Sequence, residues 1–102
     1  MADKKVTVLA RFKAKKGMED KLRDAIMACV APTRAEAGCI NYDLHQLSDD
    51  KGDLILYENW RSKKDLDIHL ETPYLVKLKA QAGELCSEPI EITLWEMISK
   101  PA

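Results

Sequence analysis

The sequence has few of the residues on which most cofactor and metal motifs depend. Its 102 residues include four glycines and two histidines, and they form no glycine-rich phosphate loop, HExxH helix, nucleophile elbow or EF-hand loop. Cys29, Cys39 and Cys86 are odd in number and lack the CxxC or Cys/His spacing of a zinc site. We therefore expect neither a disulfide framework nor a metal site, and a reducing cytoplasm is the simplest location.

A large charge imbalance and long apolar runs are also absent. The formal net charge is -1 at pH 7 and the sequence pI is about 6.1, so no strong field would gather nucleic acid or an anionic membrane surface. The longest apolar run, 25–31, is too short to span a bilayer, and the first residues lead into a strand pattern without a cleaved leader. The basic and aromatic strand signature of RNA-recognition domains is missing from 53–61. The expected ligand is a small neutral or weakly acidic molecule, with no nucleic-acid or membrane partner.

The composition is that of one ordinary folded domain. Apolar residues make up 46% and charged residues 32% of a chain whose length suits a single domain over 1–102. Alternating β-branched residues predict strands, and apolar stripes at helical spacing predict helices. The predicted strands are 6–12, 39–46, 54–60 and 90–98. The predicted helices are one from Met18 that Pro32 stops, a short one introduced by Ser62 and Asp65 as a capping box, and one from Pro73 to Leu85.

The resulting order, βαββαβ, is the ferredoxin-like α+β arrangement, in which helices cover one face of an antiparallel sheet. Large apolar residues nevertheless occur on both predicted faces of the sheet: Leu54, Leu56 and Trp60 on one, and Ile55, Tyr57, Trp95 and Met97 on the other. One layer of helices covers only one of these faces. We therefore expect a second copy of the chain, related by a two-fold axis, to cover the other face.

Three segments resemble the antibiotic biosynthesis monooxygenase family, especially its small quinol monooxygenase-like members. They are TRAEAGCINYDLH at 33–45, YENWRS at 57–62 and HLETPY at 69–74. The resemblance covers nearly the whole chain. It implies a dimeric α+β barrel with a pocket between sheet and helices in each subunit. It also implies oxidation of a phenolic or quinol compound with O2, using neither metal nor flavin, so that no cofactor is expected.

Departures from the subgroups of the family narrow the expected substrate. No histidine follows His69, so the haem ligation of haem-degrading members is not implied. Leu56 stands where antibiotic-tailoring members carry an asparagine, four residues before Trp60, and this argues against their polycyclic substrates. The His-x-x-Thr-Pro segment also resembles enzymes that process a phosphorylated autoinducer. An isomerase of such a hydroxyketone, or a non-catalytic stress-response dimer that binds a small molecule, remains an alternative.

His69 and Glu58 are the candidate catalytic residues. A histidine has an ordinary pKa of about 6.5 and accepts a proton near neutrality. His69 follows Leu66 by three positions, near the inner stripe of the short helix and facing the Trp60 end of the sheet. The structural alternative is a half-buried histidine bonded to a backbone carbonyl. Burial would raise the pKa of Glu58 enough for proton transfer, unless Glu58 pairs with Arg34.

Four further residues are candidates for substrate binding. Trp60 and Leu56 share a strand face that would line the pocket, although a tryptophan there is often simply part of the core. Tyr74, at the start of the longer helix, would donate a hydrogen bond to a phenolic ligand or lie at the rim. His45 shares its strand face with two other polar side chains, which indicates a polar relay, a solvated surface or the margin of a dimer contact.

Overall fold

A four-stranded antiparallel sheet with helices on one face forms the fold. The computed structural model describes residues 4–100. The elements in chain order are β1 (Val6–Lys13), α1 (Glu19–Met27), α2 (Val30–Arg34), β2 (Cys39–Leu47), β3 (Asp50–Trp60), α3 (Lys63–Leu70), α4 (Pro73–Leu85) and β4 (Glu91–Trp95). The predicted ferredoxin-like α+β fold is confirmed. The expectation that no leader is present concerns 1–3, which lie outside the described residues.

The sheet has the strand order β2-β3-β1-β4, and every neighbouring pair is antiparallel. Ala10 of β1 pairs with Leu56 of β3 on one side and with Ile92 of β4 on the other. Since side chains alternate along a strand, one face carries a continuous apolar surface on which the helices pack. The largest fully buried side chains belong to this layer: Trp60, Tyr42, Leu22, Ile26, Leu54, Leu56, Leu78, His69, Val8 and Thr33.

The first helical segment is divided in two, which corrects the prediction that Pro32 stops the helix. α1 ends at Met27, and α2 contains Pro32 as its third residue. Proline is tolerated in the first turn of a helix because the amide groups there have no intrahelical acceptor. The break therefore precedes the proline. None of the helices within 4–100 has the length and hydropathy needed to cross a membrane.

A bulge in β2 changes which of its residues are buried. The sequence predicted Ile40 on the same face as Tyr42, but Ile40 is 53% exposed. Cys39 and Asn41 pair with consecutive residues of β3, so that Ile40 is the extra residue of a bulge. Beyond the bulge the alternation is as predicted, and Tyr42 is 1% exposed.

Two strand boundaries also differ from the prediction. β3 begins at Asp50, because Leu47 already pairs with Asp50 and the predicted turn at 49–52 is therefore shorter. β4 ends at Trp95, which pairs with Thr7 near the beginning of β1. Only Val6 of β1 lies beyond this pair, so the predicted continuation of β4 to residue 98 does not form.

The second face of the sheet is uncovered in the single chain and is more polar than the sequence predicted. Tyr57 is 38% exposed and Trp95 is 55% exposed on this face. Hydrogen-bonded polar pairs lie beside them: Thr7 with Asn59, Asn59 with Asn41, and Arg11 with Asp53. We call this surface, formed by alternate residues of the four strands, the open face.

Candidate functional site

A cavity of about 120 Å³ lies between the sheet and helices α3 and α4. Most of its lining is apolar and comes from valine, leucine, isoleucine, alanine and phenylalanine side chains. The polar side chains that reach it are Tyr42 of β2, Glu58 of β3 and His69 of α3, together with Lys63 and Lys79. Both lysines are exposed, whereas Tyr42, Glu58 and His69 are buried. A ligand in this cavity would therefore meet a few ionisable groups in a largely dry environment.

The start of α3 aims His69 at the cavity. Ser62 is the N-cap residue, and its hydroxyl accepts a hydrogen bond from the amide of Asp65 at 3.2 Å, as the predicted capping box requires. His69 then falls on the buried side of the helix and is 1% exposed. Its ring centroid lies 4.5 Å from that of Trp60, with 35° between the planes, and 5.4 Å from the ring of Tyr42 in an edge-on contact. The imidazole is held by aromatic rings on two sides.

Glu36, in the loop between α2 and β2, binds the outer side of the imidazole. Its Oε2 lies 2.8 Å from Nδ1 of His69. The hydroxyl of Tyr74 donates a hydrogen bond to the same oxygen. A carboxylate oxygen only accepts, so the bond to His69 places a proton on Nδ1. Among residues 4–100, the imidazole of His69 makes no other hydrogen bond, and Nε2 is left for a ligand.

The surroundings of His69 favour its neutral form. Burial lowers the pKa of His69, the hydrogen bond and negative charge of Glu36 oppose this, and the charge of Lys79 lowers the pKa further. The net direction is downward from the ordinary value. At neutral pH the ring is therefore an uncharged base with Nε2 unprotonated.

Glu58 also lines the cavity, and its pKa is raised where that of His69 is lowered. It is 4% exposed, and its Oε1 accepts a hydrogen bond from Nε1 of Trp60 at 2.9 Å. Burial raises the pKa of Glu58 to about 7, the charge of Glu36 adds to the rise, and the bond from Trp60 opposes it. Arg34, the alternative partner that the sequence suggested, instead donates to the carbonyl of Tyr42 at 3.1 Å. Glu58 is therefore a buried carboxyl group that exchanges a proton near neutrality.

The structure brings most of the predicted site residues together. His69, Glu58 and Leu56 line the cavity. Trp60 lies behind them, stacked on His69 and bonded to Glu58. Tyr74 is linked to the imidazole by hydrogen bonds through Glu36, and its ring centroid lies 6.4 Å from that of His69. Burial and the bond to Glu36 raise the pKa of Tyr74 to about 12.

His45 is the predicted site residue that lies elsewhere. It is exposed on the open face and borders a separate groove with Arg11 and Asp53. Its Nδ1 is 3.1 Å from the backbone oxygen of Asp43. The sheet therefore separates it from the cavity, and its role in substrate binding stays a prediction.

Glu36 was not identified as a site residue from the sequence. It lies 33 positions before His69, in a loop with no periodic pattern to indicate its direction. Only the packing of this loop against α3 brings the two side chains together. The one available signal was its position within the first of the family-like segments.

No metal-binding cluster is apparent among residues 4–100: nowhere in that range do three or more His, Cys, Asp or Glu side chains come together in a way that could hold an ion. His69 and Glu36 form a pair without a third ligand.

The fold and the cavity define a class, the small ferredoxin-like α+β proteins with a cavity between sheet and helices. Comparison with known proteins identifies the family. The family model described as antibiotic biosynthesis monooxygenase matches residues 5–81. The chain belongs to the antibiotic biosynthesis monooxygenase family, which confirms the resemblance seen in the sequence.

Individual relatives agree with this assignment. "Putative monooxygenase Rv0793" of Mycobacterium tuberculosis is 42% identical over 89 residues, which cover 87% of each chain. Its solved structure matches with a TM-score of 0.90 and covers 96% of this chain and 99% of that one. The crystal structure of PA3566 from Pseudomonas aeruginosa matches with a TM-score of 0.90 at 29% identity, over 97% of this chain and 99% of that chain. "Putative monooxygenase YcnE" of Bacillus subtilis is 24% identical, over 90% of this chain and 97% of that protein.

Proposed function

We propose that the chain, as a single domain that pairs with a second copy, is a cofactor-independent monooxygenase that oxidises a small quinol or related phenol with O2. The observation that carries the proposal is the buried imidazole of His69, which lines an apolar cavity, bonds through Nδ1 to Glu36 and has its pKa lowered by burial. A reaction without metal or flavin requires the substrate to supply the electrons. It therefore needs a base that forms the reactive anion and a dry cavity that raises the energy of that anion.

The proposed reaction begins with proton transfer. Nε2 of His69 accepts the proton of a phenolic hydroxyl group, and the resulting anion donates electrons to O2 more readily than the neutral phenol does. One oxygen atom then replaces a ring hydrogen, and the other leaves as water. One quinol and one O2 thus yield one hydroxyquinone and one water, with all the electrons coming from the substrate.

The size of the cavity supports a substrate with one ring. A cavity of about 150 Å³ lined by apolar side chains holds a benzene molecule, and the cavity beside His69 is about 120 Å³. The cavity is therefore close to the size that one aromatic ring needs and would have to widen slightly for a hydroquinone, whereas a polycyclic quinol would require a much larger change. This agrees with Leu56 at the position where polycyclic-substrate enzymes of the family carry an asparagine.

The homodimer is part of the proposal because the open face carries large apolar side chains. Tyr57 and Trp95 are exposed there, and the helices pack on the opposite face. Two open faces related by a two-fold axis would bury both residues, and polar groups such as Asn41 and Asn59 would flank them.

Oxygen uptake tests the function directly. Protein freed of metal and flavin is mixed with a panel of one-ring hydroquinones, and wild type, His69→Ala and His45→Ala are compared. We expect uptake by wild type and a fall in kcat/KM of about 100-fold or more in His69→Ala, the size typical of a lost general base. The same assay tests the second histidine with His45→Ala. A loss of activity in that variant would indicate that the reaction takes place on the open face. Absence of uptake by wild type, or equal uptake by His69→Ala, would exclude the proposal.

The isomerase alternative is supported by one observation. Lys63 and Lys79 both line the cavity, and Lys79 has no ion-pair partner among residues 4–100. A lysine ammonium group binds phosphate well, so the phosphate group of a phosphorylated hydroxyketone would form an ionic contact at this cavity. Rearrangement of such a compound at constant O2 would establish this alternative in place of the oxygenase.

A further inference from the structure

We infer that Glu36 is a positioning residue that keeps His69 in the tautomer with Nδ1 protonated, so that Nε2 is the basic atom inside the cavity. Its effect on turnover rests on the proposed function. The tautomer itself does not, because it is a property of the protein without substrate.

The contacts of the Glu36 side chain carry the inference. Oε2 lies 2.8 Å from Nδ1 of His69 and also accepts the hydroxyl proton of Tyr74. The two donors approach from different helices, α3 and α4. The carboxylate therefore cannot turn away from the imidazole without losing the bond to Tyr74, and the ring of His69 cannot flip without losing its bond to the carboxylate.

The backbone of the loop is fixed as well. The amide of Glu36 donates to the carbonyl of Thr33 at 3.0 Å, and its carbonyl accepts from the amide of Cys39 at 3.1 Å. Both backbone groups of Glu36 are thus satisfied within the loop. The Glu36 side chain therefore extends from a backbone position that is fixed between α2 and β2, and this fixes the direction in which it points.

The charges around His69 show what Glu36 contributes. The charged groups that act on the imidazole are Glu36, which raises its pKa, and Lys79, which lowers it. The rings of Tyr42, Trp60 and Tyr74 pack against it without formal charge. With burial also lowering the pKa, Glu36 is the group that keeps the imidazole basic enough to accept a proton. It would also stabilise the imidazolium ion after proton transfer.

NMR of the ring nitrogens tests the inference without any turnover. The chain has only two histidines, and exposed His45 serves as an internal reference. In the wild type we expect the shifts of His69 to report protonated Nδ1 and unprotonated Nε2 above its pKa. The opposite tautomer in the wild-type protein would overturn the inference, and this measurement does not depend on the folding of any variant.

Two variants extend the test. Glu36→Gln removes the charge, and we expect the pKa of His69 to fall while the ring-nitrogen signals of His45 keep their wild-type positions. Tyr74→Phe removes the bond that helps to hold the carboxylate in place but keeps its charge, and we therefore expect a smaller fall in the pKa of His69 than in Glu36→Gln. Equal pKa values of His69 in wild type and Glu36→Gln would contradict the inference.

The kinetic readout separates positioning from a general structural effect. If the protein oxidises quinols, Glu36→Gln should lower kcat/KM about tenfold or more and move the acid limb of its pH profile to lower pH, in step with the pKa of His69. A purely structural role would lower activity without moving the limb, and that result would overturn the inference. If wild type takes up no O2 and His69 still shows the expected tautomer, the proposed function fails and the positioning role of Glu36 stands.

Discussion

At the scale of single residues, burial moves two ionisable groups of the cavity, Glu58 and His69, toward their uncharged forms. It raises the pKa of Glu58 and lowers that of His69, because the loss of water disfavours a charge of either sign. Two groups shifted in opposite directions form a natural acid and base pair.

Replacement of Glu58 by glutamine tests whether burial raises the pKa of this carboxyl group. The pKa of Glu58 is about 7 in the folded protein and 4.5 ordinarily, a difference that corresponds to about 3 kcal/mol. Since the folded value is the higher one, this stability is fully present below about pH 4.5 and is lost as the pH rises through about 7. Glutamine does not ionise, and its oxygen can still accept from Trp60. Urea unfolding should therefore show Glu58→Gln gaining stability relative to wild type between about pH 4.5 and pH 8. A stability difference that does not change with pH would refute the raised pKa.

At the scale of elements, the site depends on how closely the loop before β2 packs against α3. Gly38 lies in that loop, and a Cβ atom on it would lie 2.3 Å from Cβ of Asp65 in the first turn of α3. The amide of Arg61 also donates to the carbonyl of Gly38 at 2.9 Å. The absence of a side chain at position 38 is what lets the loop bring Glu36 to His69.

Gly38→Ala should therefore separate the loop from α3. We expect a loss of about 1–3 kcal/mol in the free energy of unfolding, as is usual for overpacking, measured by urea denaturation. We also expect the pKa of His69 to fall as its bond to Glu36 weakens. The matched control is Gly83→Ala in α4, where a Cβ would meet nothing within 4 Å. Alanine favours a helix, so this variant should be unchanged or more stable. If Gly38→Ala has the same free energy of unfolding as the control, the loop accommodates the additional methyl group and the close packing against α3 is not required for stability.

At the scale of the whole molecule, the helices protect one face of the sheet and leave the open face to the proposed partner copy. Tyr57 on the central strand β3 and Trp95 on the edge strand β4 are the large aromatic side chains that this contact would bury. Aromatic side chains contribute strongly to interfaces because they bury a large area with few rotatable bonds.

A charge on the open face tests this arrangement. In sedimentation velocity at micromolar concentration, we expect the wild type to behave as a dimer and Tyr57→Glu to behave as a folded monomer, because an unpaired carboxylate would be buried in the contact. Val76→Glu places the same charge at an exposed position of α4, 57% exposed in the wild type, and should remain dimeric. A wild type that sediments as a monomer would remove the homodimer from the proposal.

The sequence was sufficient for the fold because the fold follows from local patterns. Alternation placed Leu56 and Trp60 on the buried side of β3, and the capping box at Ser62 placed the start of α3. Prediction from the sequence was less reliable where a single residue interrupts a local pattern. Ile40 is exposed because an extra residue enters β2, and Pro32 is accommodated because it falls in the first turn of α2. Both outcomes depend on pairing and hydrogen bonding that a single segment does not determine.

The sequence by itself determined the family, the order of strands and helices, and the choice of His69 as the candidate base, because each depends on residue type and on spacing within one segment. Only the tertiary structure decided which group is hydrogen-bonded to that histidine and which histidine lies away from the cavity. Glu36 reaches His69 across 33 positions of the chain, and the sheet separates His45 from both. Such contacts are made by side chains that are distant in sequence, so their directions are determined by how loop, helix and sheet pack together.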